Sequence, residues 1–227
     1  MMSATRTRER VHAALSSVRD PELDEAITEL GFVHSVAVEG ETVHIELRLP
    51  TYFCAPNFAY LMVADAHDAA STVPGISSVH VELVDHFASD EINSGVAAAK
   101  GFTGTFPGHA DDELAQLRLT FRRKAHAACQ ERVATALLRD GREPETLFAT
   151  TLADVEPGPD AERLVRRRGE LGLRCDSDAP LLVHDDGEPI EEDDIFGRLR
   201  LARTTRISIE GNAGLCRGLL TVRYDGG

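Results

Sequence analysis

Between Thr42 and Leu49 the residues alternate without a break, with Val43, Ile45, Leu47 and Leu49 on one side and His44, Glu46 and Arg48 on the other. Successive side chains of a strand point to opposite faces, so this run predicts a strand with one face in a core and one in water. Phe32 to Val38 reads as its partner across Glu39-Gly40-Glu41, a short polar link of hairpin type. Pro50 ends the second strand, and a helix is predicted over roughly Asn57 to Ser71, with Phe58, Leu61, Met62 and Ala69 among its apolar positions. After the turn Val73-Pro74-Gly75, a third strand carries Val79, Val81 and Leu83 inward and His80 and Glu82 outward. Ahead of the hairpin two helices are expected. The first runs from about Thr7 to Val18 and is broken by Asp20-Pro21; the second runs from Glu22 through Leu23, Ile27 and Leu30 to a capping Gly31. The order α-α-β-β-α-β implies an α+β fold, a small open three-stranded sheet with helices on one face.

That module accounts for residues 1–95 of a chain of 227. The stretch from Phe87 to His109 is glycine-containing and poor in large apolar residues, which predicts a surface connection with a linker at 96–110. Residues 111–227 read as a C-terminal module of a helix plus strands. A long helix is expected from Asp111 to about Asp140, with Gly141 past its end, and a short basic helix from Ala161 to Arg168. Strands are expected at Leu181 to Val183, Arg206 to Ile209 and Leu219 to Tyr224, with a turn at Asp185-Asp186-Gly187.

Composition removes several function classes. With Lys+Arg 24 against Asp+Glu 38, the net charge of −14 repels phosphate backbones, so no nucleic-acid partner is expected. Trp is absent and aromatics are 5%, which counts against base-stacking platforms. No apolar run approaches the roughly 18–20 residues of a membrane span. The opening MMSATRTRER lacks the apolar core of a secretory signal, and a cytoplasmic location is expected. Cys54, Cys129, Cys175 and Cys216 form no C-x-x-C pair, which excludes a zinc ribbon and leaves chemistry by single thiols. Gly211, Gly214 and Gly218 match no phosphate-binding loop.

The candidate site lies around LPTYFCAP, Leu49 to Pro56. Cys54 would stand just before a helix whose unpaired N–H groups favour a thiolate, Thr51 can bond the loop backbone, and Pro56 suits the first helical turn. The same residues also read as a buried small hydrophobe beside an ordinary turn at Asp20. Cys216 is either a thiol brought beside Cys54 or a small residue in a bulged strand. His44 and His80, with Glu46 and Glu82, form a mixed metal-ligating set if their strands are neighbours, and otherwise a solvated sheet face. Asp85-His86 sits at a strand end, where functional groups gather. Arg163, Arg166, Arg167 and Arg168 make a local basic patch, either a solvated helix face or a dock for an acidic partner.

Together DPEL (Asp20 to Leu23), ELGFV (Glu29 to Val33), the LPTYFCAP loop, VPGISSVHVEL (Val73 to Leu83) and the pair Asp85-His86 resemble a known family. It is the iron-sulfur cluster assembly factors of the PaaD and SufT type, related to the cytosolic iron-sulfur assembly component of eukaryotes. The resemblance covers about the first 95 residues. It departs from the family pattern where Ala55 separates Cys54 from Pro56, and the cysteine-rich tail of PaaD-type members is missing. It implies a non-enzymatic maturation factor that handles an iron-sulfur cluster transiently. Cys54 would be the sulfur ligand, with Asp20, Glu22 and Thr51 lining its pocket. Its partners would be other cluster-assembly proteins or a client metalloprotein such as an oxygenase component. A cluster normally wants about four sulfur ligands, so others must come from Cys216, a second copy in a homodimer, or a partner. Two further classes stay open. One is a thiol enzyme with Cys54 as nucleophile and His86 as base; the other is a client-binding scaffold that uses no cysteine.

Overall fold

The computed structural model describes residues 4–108 and 113–224. These form two compact units, one of residues up to Ala115 together with those from Gly211 onward, the other of Gln116–Glu210. The units therefore do not follow a linear division of the chain at residues 95 and 111.

The first unit is built on helix α1 (Ala4–Leu15), strands β1 (Val33–Glu39) and β2 (Thr42–Arg48), helix α2 (Pro56–Ser71) and strand β3 (Ser78–Val84). The sheet order is β1-β2-β3, antiparallel between the first two and parallel between β2 and β3, with Ile45 opposite Val81. The α2 crossover is what permits the parallel pair. Val43, Ile45, Leu47 and Leu83 are buried on the helix-covered face with Val11, Leu15, Met62, Val63 and Ala66, while His44 and His80 are exposed on the other. The alternation of β2 thus does what its sequence dictates, and the α+β sheet is present.

Three local expectations are corrected. No helix forms over Glu22 to Gly31. Asp20 Oδ1 accepts the backbone N–H groups of Glu22 and Leu23 at 2.9 Å each, and Asp24 adopts a left-handed φ of 54°. An Asp-anchored turn of this kind competes with helix for the same donors. Leu23, Ile27 and Leu30 are buried nonetheless. The expected connection after Phe87 instead forms two helices, α3 (Ser89–Ala97) and α4 (Gly101–Thr105). Its few large residues are all used: Ile92 is fully buried, and the Phe102 and Phe106 rings lie 5.3 and 6.4 Å from that of Tyr60. A Cβ at Gly95 would meet Thr105 Oγ1 at 2.0 Å, so only glycine lets α3 and α4 approach this closely. Asn93 bonds both backbone groups of Leu83, at 2.9 and 3.0 Å.

The third correction concerns the C-terminal strands. Arg206 to Ile209 and Leu219 to Tyr224 belong to one helix, α7 (Ile195–Tyr224). Leu181 to Val183 makes only isolated bridges, although the turn at Asp185-Asp186-Gly187 is present, with His184 N–H donating to Glu188 O at 2.8 Å. Ala213, Cys216 and Leu220, at helical spacing, pack on the first unit's core and hold the β-prone tail in a helix. The second unit contains most of α5 (Glu113–Arg139), then α6 (Pro159–Leu171) and α7 as far as Glu210. The expected start of α5 at Asp111 lies outside the described residues. Its core is Cys129, Val133, Ala134, Leu147, Leu164 and Leu181. The basic run of α6 is not a uniform solvated patch. Arg167 and Arg168 are buried, and Arg168 donates to the carbonyls of Arg174, Pro180 and Leu181 at 3.3, 2.7 and 2.8 Å. Among the described residues, no helix is long and apolar enough to cross a membrane.

Candidate functional site

The Asp20 turn and the Cys54 loop belong to the first unit, as do Asp85, His86 and the end of α7. Asp20 is 5% exposed. Burial pushes its carboxyl up to about 6, and the N–H groups of Leu23 and Glu22 counter only part of that shift. Thr51 is half-buried just beyond β2. Cys54 is half-buried one residue before the Ala55 cap of α2. Its carbonyl, not its sulfur, accepts a hydrogen bond from His86 Nε2 at 2.8 Å. His86 Nδ1 accepts the Ala88 N–H at 3.2 Å, so both ring nitrogens are committed to backbone. Burial lowers the His86 pKa, in keeping with a neutral imidazole donating through Nε2. Asp85 is exposed at a left-handed φ of 54°, and its carbonyl accepts Arg223 Nη2 at 2.6 Å.

Cys54, Cys216, Asp20 and Glu22 stand within electrostatic reach of one another. Burial pushes the Cys54 thiol up to about 12, with the Asp20 charge next in importance. Cys216 moves in the same direction, again chiefly by burial. The helix start therefore does not make Cys54 a thiolate, because desolvation and a carboxylate neighbour outweigh the dipole. An alkylating agent at neutral pH is expected to label exposed Cys175 before half-buried Cys54, with buried Cys129 last. Timed mass spectrometry reads the order, and Cys54 labelling first would contradict the burial argument.

His44 and His80 do meet, stacked with ring centroids 4.9 Å apart, but on the open sheet face. Glu46 there faces Arg48 at 3.0 Å and His34 at 3.7 Å. Among the described residues, no three His, Cys, Asp or Glu side chains are arranged to hold a metal ion between them. Two neutral thiols beside a buried carboxyl that ionises near pH 6 supply fewer sulfur donors than the about four a cluster normally takes.

Sequence reasoning missed the residues of α7 that close over this site. Asn212 Nδ2 donates to Glu22 Oε1 at 3.4 Å, Arg217 forms an ion pair with Glu25, and Arg223 Nη1 donates to Leu49 O at 3.1 Å. The signal was the i, i+3, i+7 spacing of Ala213, Cys216 and Leu220, masked by the β-branched residues that follow.

The turn, loop, crossover and third strand that frame Cys54 all fall within one recognisable segment. Residues 8–83 match the family model of iron-sulfur cluster assembly proteins. The assembly-family segment is also similar to the iron-sulfur cluster carrier protein of Synechocystis sp. (strain ATCC 27184 / PCC 6803 / Kazusa), 35% identical over 77 residues. That match takes in 34% of this chain and 21% of the relative, so the chain spans about a fifth of the relative's length. Among solved structures, a domain of unknown function, DUF59, from Bacillus anthracis is 27% identical. It covers 44% of this chain and 97% of its own, with a TM-score of 0.34.

Proposed function

We propose that this protein is an iron-sulfur cluster assembly or carrier factor in which Cys54 is the sulfur that contacts the cargo. The observation that carries this reading is that the assembly-family segment contains Cys54 together with Asp20 and Glu22, the two carboxylates within electrostatic reach of its sulfur. The cluster is cargo. Asp20 and Glu22 are acceptors for the thiol proton and for iron as cargo arrives, Thr51 and Asp85 stand on the loop and strand end that flank Cys54 in sequence and through His86, and His86 anchors the Cys54 backbone through its carbonyl. The remaining sulfur ligands come from a partner, either a second copy of this chain, another assembly protein or a client metalloprotein. An oxygenase component is the client favoured by the PaaD-type resemblance, and a cytoplasmic setting suits single unpaired thiols.

The thiol-enzyme alternative is disfavoured by geometry, since His86 bonds the Cys54 carbonyl and the Ala88 N–H and has no nitrogen left for the sulfur. Anaerobic incubation with iron and sulfide, followed by visible absorption and iron analysis, tests the proposal. Wild-type protein is expected to develop charge-transfer bands and protein-associated iron during the incubation, and Cys54→Ala to lose most of both. Equal loading of Cys54→Ala would overturn the role of that sulfur.

A further inference from the structure

The end of α7 is a helix with little intrinsic reason to be one. Gly211, Gly214 and Gly218 fall within fourteen residues, and each glycine weakens a helix interior by about 1 kcal/mol relative to alanine. None of the three is required by packing, because a Cβ built at any of them meets nothing within 4 Å. What holds the segment is the surface beneath it. Ala213 is fully buried, Cys216 and Leu220 pack on the core, and Leu220 lies 3.2 Å from where a Cβ of Gly31 would be. Polar contacts flank that stripe: Arg217 with Glu25, Asn212 with Glu22, and Arg223 with the carbonyls of Leu49 and Asp85. The carboxylates thus lie on the Asp20 turn, and the carbonyls flank the Cys54 loop. The stripe packs Cys216 on the same core as Cys54, within electrostatic reach of it.

We propose that the surface under Gly211–Tyr224 is a helix-docking site beside Cys54, occupied in cis by this segment, and that a partner protein reaches Cys54 by replacing it with a helix of the same pattern. That pattern is a stripe of small and apolar residues at i, i+3 and i+7, with arginines at i+4 and i+10 to meet Glu25 and the two strand-end carbonyls. The identity of the incoming protein as a cluster donor or client rests on the assembly reading, whereas the occluded docking site rests on the contacts alone. A helix stabilised mainly by docking opens locally at lower cost than the sheet core, which makes it displaceable without unfolding the unit.

The test uses the full chain without iron or sulfide and follows alkylation of Cys54 by mass spectrometry, with buried Cys129 of the second unit and thermal melting as fold controls. Arg217→Glu with Arg223→Ala is expected to accelerate Cys54 labelling about tenfold or more while Cys129 stays protected. A synthetic peptide of Ser208–Tyr224 carrying Cys216→Ser, added in trans, should return Cys54 to the wild-type rate. The reverse variant, with Gly211, Gly214 and Gly218 all replaced by Ala, strengthens the helix and should slow Cys54 labelling several-fold; it keeps the test decisive if the opening variant does not fold. Unchanged Cys54 rates in the alanine variant, or failure of excess peptide to protect Cys54 in a folded opened variant, would overturn the docking site. Because no iron is present, either result leaves the iron-loading experiment to stand or fall separately.

Discussion

Arg168→Ala is expected to destabilise the second unit by about 3 kcal/mol or more, since truncation removes the donors of three carbonyls at once, the one at Leu181 buried, and leaves a cavity where the side chain stood. The guanidinium is 1% exposed and serves Pro180, Leu181 and Arg174, tying α6 to the irregular segment after it. Each carbonyl left dry and unpaired costs about 1–3 kcal/mol, and the space vacated by the side chain adds a cavity term. Arg168→Met fills the space without the hydrogen bonds and should fall between alanine and wild type. Arg168→Lys should also be damaged, because a single ammonium cannot reproduce a planar fork that reaches three carbonyls. Urea-dependent exposure of Cys129, which lies in the same unit's core, measures the effect. A loss below about 1 kcal/mol for the alanine variant would show that the carbonyls find other partners.

Arg168 also illustrates where sequence reading ends. In a run of arginines on an acidic chain it looks like a solvated cation, and only the tertiary path of Arg174 to Leu181 gives it carbonyls to bind. The first unit was more legible, because the β2 alternation and the stripe of α2 are periodic signals read from neighbouring residues. The Glu22 to Gly31 segment misled because its apolar spacing is helical, yet the Asp20 side chain captures the donors that a first helical turn would present. At the site, the Cys54 loop could be placed before α2 from the sequence. Its protonation could not, since the thiol is governed by burial and by Asp20, which arrives from 34 residues earlier in the chain. Likewise, Cys216 comes within electrostatic reach of Cys54 only because the tail is helical, although the run Leu219 to Tyr224 has the composition of a strand.

Mild acid is expected to weaken the second unit through His126, whose ring is 1% exposed and whose Nε2 has no hydrogen-bond partner among the described residues. Burial, helped by the nearby Arg168 charge, lowers its pKa from 6.5 to about 4. The unfolded chain therefore takes up a proton below pH 6.5 that the folded unit refuses until about pH 4. Stability from this group is intact above pH 6.5 and drains away as pH falls towards 4, by roughly 3 kcal/mol at the lower end. Asp20, in the other unit, has the opposite sign. Its pKa is raised from 3.8 to about 6, so its contribution is full below 3.8 and lost as pH rises through 6. Comparing wild type with His126→Leu cancels Asp20 and every other shared group. At pH 7.5 the two proteins should differ by less than about 1.5 kcal/mol, whereas at pH 5 the leucine variant should gain on wild type by about 2 kcal/mol, read from urea-dependent Cys129 exposure. Parallel stability curves for the two proteins between pH 7.5 and 5 would mean that His126 can be protonated inside the folded unit, and the burial argument for it would be wrong.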